Sequence, residues 1–397
     1  MAGPSQSVAS PQNTNRSRLS PRRKLGFAIV SVVSVFLLLE VAARICVPNS
    51  RGRFDQINQI VMFLGTQPSD LMLEYDEERF WKLRPNVTIK DPNNTFWQGT
   101  VSNSLGFRCL EFTRNKPNNT LRVVCFGDSS TFGIGAKMED TWPSLLRQEF
   151  ENEIANNVFD RSAELHVEVI NAGVPGYSSH QGLQHMRQEL ERLDADVVLA
   201  SYANNDFWHW DHQTDQQHAQ RISKSNGLRD SLMTSRLVQV IDVGIGKLRQ
   251  STADEIDPAS PNQHWAKVAT FNYKDPVAQW TRRVPLEQFH TNISSMADLC
   301  AKSRVPLILV KWPDQPQAGG HWSPRIEYQD VLDQIAEERN LQVADVVSMF
   351  QANKSWSVDT YVPNDIVHVN RDGNKLAAIA VRDAIRRTFQ ADDRMTN

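Results

Sequence analysis

The stretch LRVVCFGDSSTFG, residues 121–133, decides the fold of this chain. Its β-branched and apolar start predicts a buried strand over 121–126, and Gly127-Asp128-Ser129 predicts a tight turn into a helix. A serine on such a turn has its hydroxyl at the carboxyl edge of the sheet and its N–H near a helix N-terminus. Ser129 is therefore a candidate nucleophile and oxyanion donor, although Gly-Asp-Ser also occurs in ordinary turns.

Short β-branched runs alternate with amphipathic helical stretches along the rest of the chain. This alternation predicts an α/β fold, a three-layer α/β/α sandwich with a mainly parallel five-stranded sheet. Ligands of such sheets bind at the carboxyl ends of the strands. The predicted strands are 121–126, 165–170, 196–202, 305–311 and 341–346, and the predicted helices are 141–155, 179–193, 286–303, 325–339 and 371–389.

Two further strand ends carry candidate oxyanion donors. The second strand leads into NAGVPGYS (171–178), where Gly173 can present a backbone N–H, and the third leads into ANND (203–206), where the Asn205 amide can point to the same place. Donors on adjacent strand ends suit an oxyanion. Taken singly, Gly173 also fits a turn glycine and Asn205 a helix cap.

The segment DIVHVN (365–370) supplies a candidate base after the last strand. Asp365 and His368 lie three residues apart at a helix entry, so the carboxylate can reach the imidazole and hold its tautomer. The other ring nitrogen then faces a serine. Serine, glycine, asparagine and the Asp/His pair thus follow in order at four strand ends of one predicted sheet.

The four blocks FGDSS, NAGVPGYS, ANND and DIVH resemble those of the SGNH hydrolases, or GDSL-like esterases and lipases, over about residues 121–390. The resemblance implies a flavodoxin-like sheet and no metal or cofactor. It implies that Ser129 is the nucleophile and first oxyanion donor, Gly173 the second donor and Asn205 the third. His368 would be the general base and Asp365 its orienting partner. Ala203 departs from the usual glycine of the third block, so its methyl group could crowd the acyl site.

The resemblance implies hydrolysis of a carboxylic ester with a short acyl group, and an O-acylated carbohydrate of the cell envelope is one substrate that fits. Two alternatives stay open: an O-acyltransferase that passes an acetyl group to a polysaccharide, and a non-catalytic protein that binds glycans through Trp208 and Trp210. The run WHWDH (208–212) also suggests a metal hydrolase, which is the weakest of these hypotheses.

The N-terminus resembles a membrane-targeting segment. Residues 1–24 form a basic cytoplasmic tail, and residues 25–47 are apolar except for Glu40 and Arg44, which fits a signal anchor or a cleaved signal peptide. We favour the anchor, because the apolar pattern continues beyond Glu40. The body then lies outside the cytoplasm as a single-pass membrane protein, or is secreted after cleavage. VSNSLGFR (101–108) also resembles the lead-in of membrane-anchored bacterial members of this family.

The remaining sequence divides around these features. Residues 48–118 are predicted to form an irregular accessory segment, and residues 119–390 the hydrolase domain, with an insertion at about 207–285 that is either a lid or a surface elaboration. The net charge is −3, and it becomes −8 once the five basic residues of the tail are set aside, so nucleic acid is not an expected partner. The four cysteines predict neither a disulfide framework nor a zinc site; they are Cys46, Cys109, Cys125 and Cys300.

Overall fold

The computed structural model describes most of the predicted hydrolase domain and the apolar N-terminal helix. Most of the tail and most of the insertion at 207–285 lie outside the described residues. The described residues are 20–46, 72–89, 99–156, 165–208, 213–224, 235, 237–238, 241, 281–354, 358–363 and 365–391.

The predicted five-stranded parallel sheet is confirmed. Its strands lie in the order β4-β3-β5-β6-β7, and every neighbouring pair is parallel. A separate antiparallel hairpin, β1 with β2, precedes it. The strands are β1 (Leu73–Asp76), β2 (Phe80–Leu83), β3 (Thr120–Gly127), β4 (His166–Gly173), β5 (Val197–Ser201), β6 (Leu307–Lys311) and β7 (Gln342–Asp345).

Helices cover both faces of the sheet, as the alternation predicted. Helices α4, α6 and α8 pack on one face, and α3, α9 and α10 pack on the other. The described helices are α1 (Pro21–Cys46), α2 (Ser129–Phe132), α3 (Trp142–Ala155), α4 (Ser179–Leu193), α5 (Asp215–Lys224), α6 (Leu286–Lys302), α7 (Gln315–Ala318), α8 (Arg325–Arg339), α9 (Val346–Ala352) and α10 (Arg371–Ala391).

Strand β3 shows why the sheet has two apolar cores. Successive side chains of a strand point to opposite faces. Val123 and Cys125 accordingly belong to the core beneath α3 and α10, whereas Val124 and Phe126 belong to the core beneath α4 and α6. All four are fully buried. A strand that is covered on both faces must be apolar at consecutive positions, and this is the pattern VVCF in the sequence.

The strand order places a crevice at the end of β3. The chain passes from β3 to β4 on one side and then returns to place β5 on the other side of β3. The loops after β3 and β5 therefore leave in opposite directions, which opens a crevice at the carboxyl end of the switch-point strand. Gly127 ends β3, and Ser129 begins the helix that follows.

The segment before β3 packs on the sheet through buried polar contacts. The Trp81 indole donates to Pro175 O at 3.0 Å, and the Tyr177 hydroxyl donates to Trp81 O at 2.5 Å. Arg122, with no exposed side-chain surface, donates to Thr113 O at 2.7 Å. These bonds satisfy groups that would be costly to bury alone. They fasten β2 and the 99–118 region to the loop after β4 and to β3.

Helix α1 is the apolar segment of the sequence. It begins at Pro21, four residues earlier than the predicted apolar segment, and residues 21–45 have the length and composition of a membrane span, with mean hydropathy 2.5 in the best window. The acid that interrupts the apolar run, Glu40, forms an ion pair with Arg44 at 2.7 Å. Its carboxylate also accepts the Ser235 hydroxyl at 2.7 Å and the Leu237 N–H at 2.9 Å. An N-terminal helix of this kind fits a membrane anchor or a signal sequence.

Candidate active site

The turn after β3 sets the position of Ser129. Asp128 caps α2, because its side chain accepts the Ser130 N–H at 2.8 Å, and Ser129 is the first residue of the helix. Its N–H is therefore one of the first-turn groups that have no acceptor within the helix. Gly127 allows the helix to lie this close to the strand, since a Cβ there would lie 2.1 Å from Thr131 Oγ1 and 3.0 Å from Ser201 O.

The structure brings Ser129, His368 and Asp365 together. His368 Nε2 lies 2.8 Å from Ser129 Oγ, and His368 Nδ1 lies 2.6 Å from Asp365 Oδ2. The three side chains come from positions up to 239 residues apart and are mostly buried. The distances fit a hydrogen-bonded chain in which Nδ1–H donates to the carboxylate and Nε2 accepts the serine proton.

Asp365 is held as a carboxylate. Burial by itself would raise its pKa, but the neighbouring His368 and the backbone N–H groups of Val367 and His368 lower the pKa below its ordinary value. Its Oδ1 accepts those two N–H groups at 2.7 and 2.9 Å, so only Oδ2 faces the imidazole. A fixed, ionised acceptor at this place favours the tautomer with the proton on Nδ1.

Asn205 lies beside the same strand end, and its amide is only partly engaged. Its Nδ2 donates to Tyr177 O at 2.9 Å, and the contact with Asp128 Oδ2 is long at 3.5 Å. A contact of this length is a weak hydrogen bond, so the amide N–H that faces Asp128 is more available to a ligand than the one bound to Tyr177 O. The side chain is buried, with 5% of the residue exposed.

Gly173 is placed differently from the expectation of a bare N–H. Its N–H already donates to Asn171 Oδ1 at 3.0 Å. A Cβ at this position would lie 2.3 Å from Phe132 N, so glycine is required for the contact between β4 and α2. A role of Gly173 as an oxyanion donor stays a prediction.

Ala203, the departure from the family pattern, adopts φ +115°. This backbone conformation favours glycine, because a Cβ is strained there. The turn is held by Asp206, whose Oδ2 accepts the Ala203 N–H at 3.1 Å and whose Oδ1 accepts the Ser179 N–H at 2.8 Å. The alanine is thus accommodated in a glycine-like turn that leads directly to Asn205.

Two buried aspartates near the site have raised pKa values. Burial raises the pKa of Asp128 to about 6, against the lowering effect of the Ser130 N–H and of the charges on His368 and Arg325. Burial likewise raises the pKa of Asp206 to about 7, although Ser179 and Arg283 act in the opposite direction. Both carboxyl groups therefore take up a proton in the folded protein at a pH where an unfolded aspartate is ionised.

The raised pKa of Asp206 predicts a pH-dependent effect of Asp206→Asn on stability. A carboxyl with a higher pKa in the folded state stabilises the fold as pH falls through that pKa toward the unfolded value near 4. We therefore expect wild type to gain about 2–3 kcal/mol in free energy of unfolding relative to the variant between pH 8 and pH 5. Urea unfolding at the two pH values measures this, and the exposed Asp298→Asn is the control. A pH-independent difference would contradict the assignment.

Sequence reasoning missed two buried arginines beside the site. Arg108 donates to Phe132 O at 2.9 Å and to Gly133 O at 2.8 Å, so it caps the C-terminal end of α2. Arg325 lies 3.5 Å from Asp314 and over the Phe207 ring at 5.8 Å. The signal for Arg108 was present in VSNSLGFR; the sequence held no signal for Arg325 because its partners come from other elements.

The described residues contain no group of three or more histidine, cysteine, aspartate or glutamate side chains placed to hold a metal ion. His209, Trp210, Asp211 and His212, from the run that suggested a metal site, lie outside the described residues. Cys109, Cys125 and Cys300 are free thiols.

The sequence of the domain is similar to a known protein family. A family model described as the GDSL-like lipase/acylhydrolase family matches residues 125–376. No curated protein matches the chain. Among solved structures, a lipase/acylhydrolase from Enterococcus faecalis is 16% identical, with 68% of this chain and 96% of that chain covered and a TM-score of 0.38.

Two further solved structures are similar at the same level. An acetyl xylan esterase is 14% identical, with 67% of this chain and 100% of that chain covered and a TM-score of 0.41. A psychrotrophic esterase from Pseudoalteromonas sp. is 16% identical, with 69% and 100% covered and a TM-score of 0.39.

Proposed function

The chain belongs to the GDSL-like lipase/acylhydrolase family and is an ester hydrolase, and from this premise we propose that Ser129, His368 and Asp365 form its catalytic triad. The observation that carries the proposal is the unbroken contact chain from Ser129 Oγ to His368, at 2.8 Å, and from His368 to Asp365, at 2.6 Å. A serine hydroxyl is a weak nucleophile until a base accepts its proton.

The reaction would proceed by two acyl transfers. His368 Nε2 takes the proton of Ser129 as Oγ attacks the ester carbonyl, and the imidazolium then gives that proton to the leaving alcohol. Water then attacks the acyl carbonyl as the same nitrogen takes its proton, and the imidazolium returns that proton to Ser129 Oγ as the bond to the acyl group breaks. Asp365 stays ionised throughout and stabilises the imidazolium, which agrees with the lowered pKa of its carboxyl.

The proposed oxyanion hole consists of the Ser129 N–H, the Asn205 amide and, as predicted from the sequence, the Gly173 N–H. Ser129 N–H and the second N–H of Asn205 have the better support, because Gly173 N–H already donates to Asn171 Oδ1. Donors that are fixed before reaction stabilise a developing negative charge without reorganisation. The bond from Asn205 to Tyr177 O provides such fixation.

Asn205→Ala tests the hole. Removing one oxyanion donor typically lowers turnover about 10²–10³-fold, so we expect kcat to fall by that factor while KM for a p-nitrophenyl acetate substrate changes little. Asn204→Ala is the matched control, since the neighbouring amide donates to Ser130 Oγ at 2.8 Å instead. Full activity in Asn205→Ala would show that the hole is assigned wrongly.

We propose a short acyl group as the substrate's acid part. Ser129 and His368 are 6% and 3% exposed, so the nucleophile lies in a recess that suits an acetyl group better than a long chain. The stacked pair Phe207 and Trp208, with ring centroids 5.3 Å apart, follows Asp206 at the same sheet edge, and Arg325 lies over the Phe207 ring. Ligand sites in proteins combine aromatic side chains with a few placed polar groups, and this combination supports an O-acylated carbohydrate, which has both apolar ring faces and hydroxyl groups.

The N-terminal helix supports a place at the membrane. We propose that residues 25–47 anchor the protein, that residues 1–24 stay in the cytoplasm, and that the accessory segment 48–118 and the domain 119–390 lie outside it. Cleavage after the apolar segment would instead release the same body. Mass determination of the N-terminus of the protein isolated from membranes separates these outcomes.

The experiment that tests the function uses the full chain in detergent with p-nitrophenyl acetate and, in parallel, an acetylated xylo-oligosaccharide. Release of acetate that requires Ser129 supports the esterase. Mass gain of an added unacetylated oligosaccharide would instead support an O-acyltransferase, because transfer adds acetyl mass to the acceptor. Glycan binding by a folded protein with no turnover would support a non-catalytic role and overturn the proposal.

A further inference from the structure

We propose that the buried ion pair between Arg283 and Asp215 positions the oxyanion donor Asn205. The proposal rests on the proposed function and adds a role for the two ends of the insertion at 207–285. Both residues belong to those ends, and their side chains are 4% and 0% exposed. Neither residue touches the triad, so both are positioning residues and not catalytic ones.

Arg283 binds the loop after β4 by several bonds at once. Its Nη1 donates to Gly176 O at 2.8 Å, and its Nη2 donates to Gln181 Oε1 at 2.6 Å. The Nε and Nη2 groups also donate to the two carboxylate oxygens of Asp215, at 3.1 and 3.0 Å. A planar guanidinium can satisfy this set, which a lysine ammonium cannot.

Asp215 binds the same loop through Ser178. Its Oδ2 accepts the Ser178 hydroxyl at 2.5 Å. Together the pair therefore holds Gly176 and Ser178, the two neighbours of Tyr177, and Gln181 in the first turn of α4. The Tyr177 carbonyl is the acceptor that fixes the Asn205 amide at 2.9 Å. A single hydrogen bond thus connects the loop that the ion pair holds to the proposed oxyanion donor, Asn205.

The ends of the insertion meet where the loop after β5 begins. Asp215 N–H donates to Arg283 O at 2.8 Å, Arg283 N–H donates to Trp208 O at 2.7 Å, and Val284 N–H donates to Asp206 O at 3.0 Å. The chain therefore leaves and re-enters the domain at one point, directly after the Asn205-Asp206 turn. The ion pair joins this point to the loop after β4, so it bridges the two loops that flank the carboxyl end of β3.

The contact pattern favours a positioning role over stabilisation in general. A buried ion pair is weak evidence for stability, because desolvation offsets much of the attraction. What a bidentate, fully hydrogen-bonded pair does supply is a defined geometry. Here the geometry is that of the Tyr177 carbonyl, whose position sets the direction of the Asn205 amide. Catalytic groups require alignment to within a fraction of an ångström.

The test measures steady-state kinetics of Arg283→Lys with p-nitrophenyl acetate in the full chain. The lysine keeps the charge opposite Asp215 but cannot hold Gly176, Gln181 and both oxygens together. We expect kcat to fall about 10–100-fold while KM changes less than about threefold. Arg282→Lys is the matched control, because this neighbour pairs with Glu327 at 2.7 Å and does not contact the loop; it should stay within twofold of wild type.

A double-mutant cycle decides whether the effect passes through Asn205. In the Asn205→Ala background, Arg283→Lys should lower kcat less than twofold further. An equal loss in both backgrounds, a change confined to KM, or wild-type kcat in a folded Arg283→Lys would each overturn the positioning role. None of these results bears on ester hydrolysis at Ser129, which is tested separately by the activity of wild type and of Ser129→Ala.

A second variant covers the case in which Arg283→Lys does not fold, as judged by its melting curve. Ser178→Ala removes the donation from Ser178 Oγ to Asp215, and with it the side chain that caps α4, while both members of the ion pair stay in place. We expect a two- to fivefold lower kcat that again disappears in the Asn205→Ala background. An unchanged kcat, or a loss that persists in that background, would overturn the proposal.

Discussion

Ser129→Ala is expected to lower kcat/KM for p-nitrophenyl acetate by about 10⁴–10⁶-fold, which leaves only the assistance that the oxyanion donors give to direct attack by water. The physical reason is that alanine leaves no atom to form the acyl-enzyme, and water must then react directly. The folded structure should be retained, because the Ser129 side chain contributes one hydrogen bond, to His368, and little apolar burial.

Ser130→Ala is the control for this prediction. The two serines are adjacent in the sequence and both are buried, yet Ser130 Oγ accepts the Asn204 amide at 2.8 Å, whereas Ser129 Oγ lies beside the imidazole. We expect the Ser130 variant to keep kcat within about tenfold of wild type. Comparable melting temperatures for both variants would exclude unfolding as the cause. Loss of activity in Ser130→Ala but not in Ser129→Ala would mean that the nucleophile is assigned to the wrong serine.

His368→Ala is expected to cost as much as Ser129→Ala, about 10⁴–10⁶-fold in kcat/KM. Without the imidazole, the serine proton has no acceptor. Asp365 does not take over as the base, because its Oδ2 contacts His368 Nδ1, at 2.6 Å, and not the serine. Groups that act as a unit give strongly non-additive losses. The Ser129→Ala, His368→Ala double variant should therefore be no slower than either single variant.

Asp365→Asn tests the charge of the carboxylate separately from the size of the side chain. The amide keeps the size of the side chain but removes the charge, so the tautomer and the imidazolium lose their support, and kcat is expected to fall about 10³–10⁴-fold. His185, which is buried among Phe107, Phe126 and Tyr177, is not a substitute base, since burial lowers its pKa well below the ordinary value. Undiminished activity in His368→Ala would leave Ser129 without its proposed base.

The sequence predicted the sheet well because strands and helices have local periods. The predicted strand 121–126 is Thr120–Gly127 in the structure, and the predicted helix 179–193 is Ser179–Leu193. Short elements were not predicted. Helix α7, for example, has four residues, and its first turn is fixed by the Asp314 side chain accepting the Gln317 N–H, which gives no periodic signal.

The candidate site shows the same division. Ser129, Asn205, Asp365 and His368 could be named from four blocks in order. The first three blocks follow β3, β4 and β5, whose carboxyl ends lie at one edge of the sheet, whereas the fourth lies after α9 and just before α10. Whether each donor group is already engaged in another hydrogen bond could not be predicted. Gly173 was expected to offer its N–H, but that group donates to Asn171 Oδ1, two residues away, once the turn has formed.

By itself, then, the sequence determined the class of fold, the order of the catalytic blocks and the candidate triad, since these depend on spacing within short segments. The tertiary structure decided which groups touch. It brought His368 to within 2.8 Å of Ser129 across 239 residues, and it paired Arg283 with Asp215 across 68. Such contacts depend on how whole elements pack and on where a buried charge finds its partner, and no local pattern in the chain encodes either one.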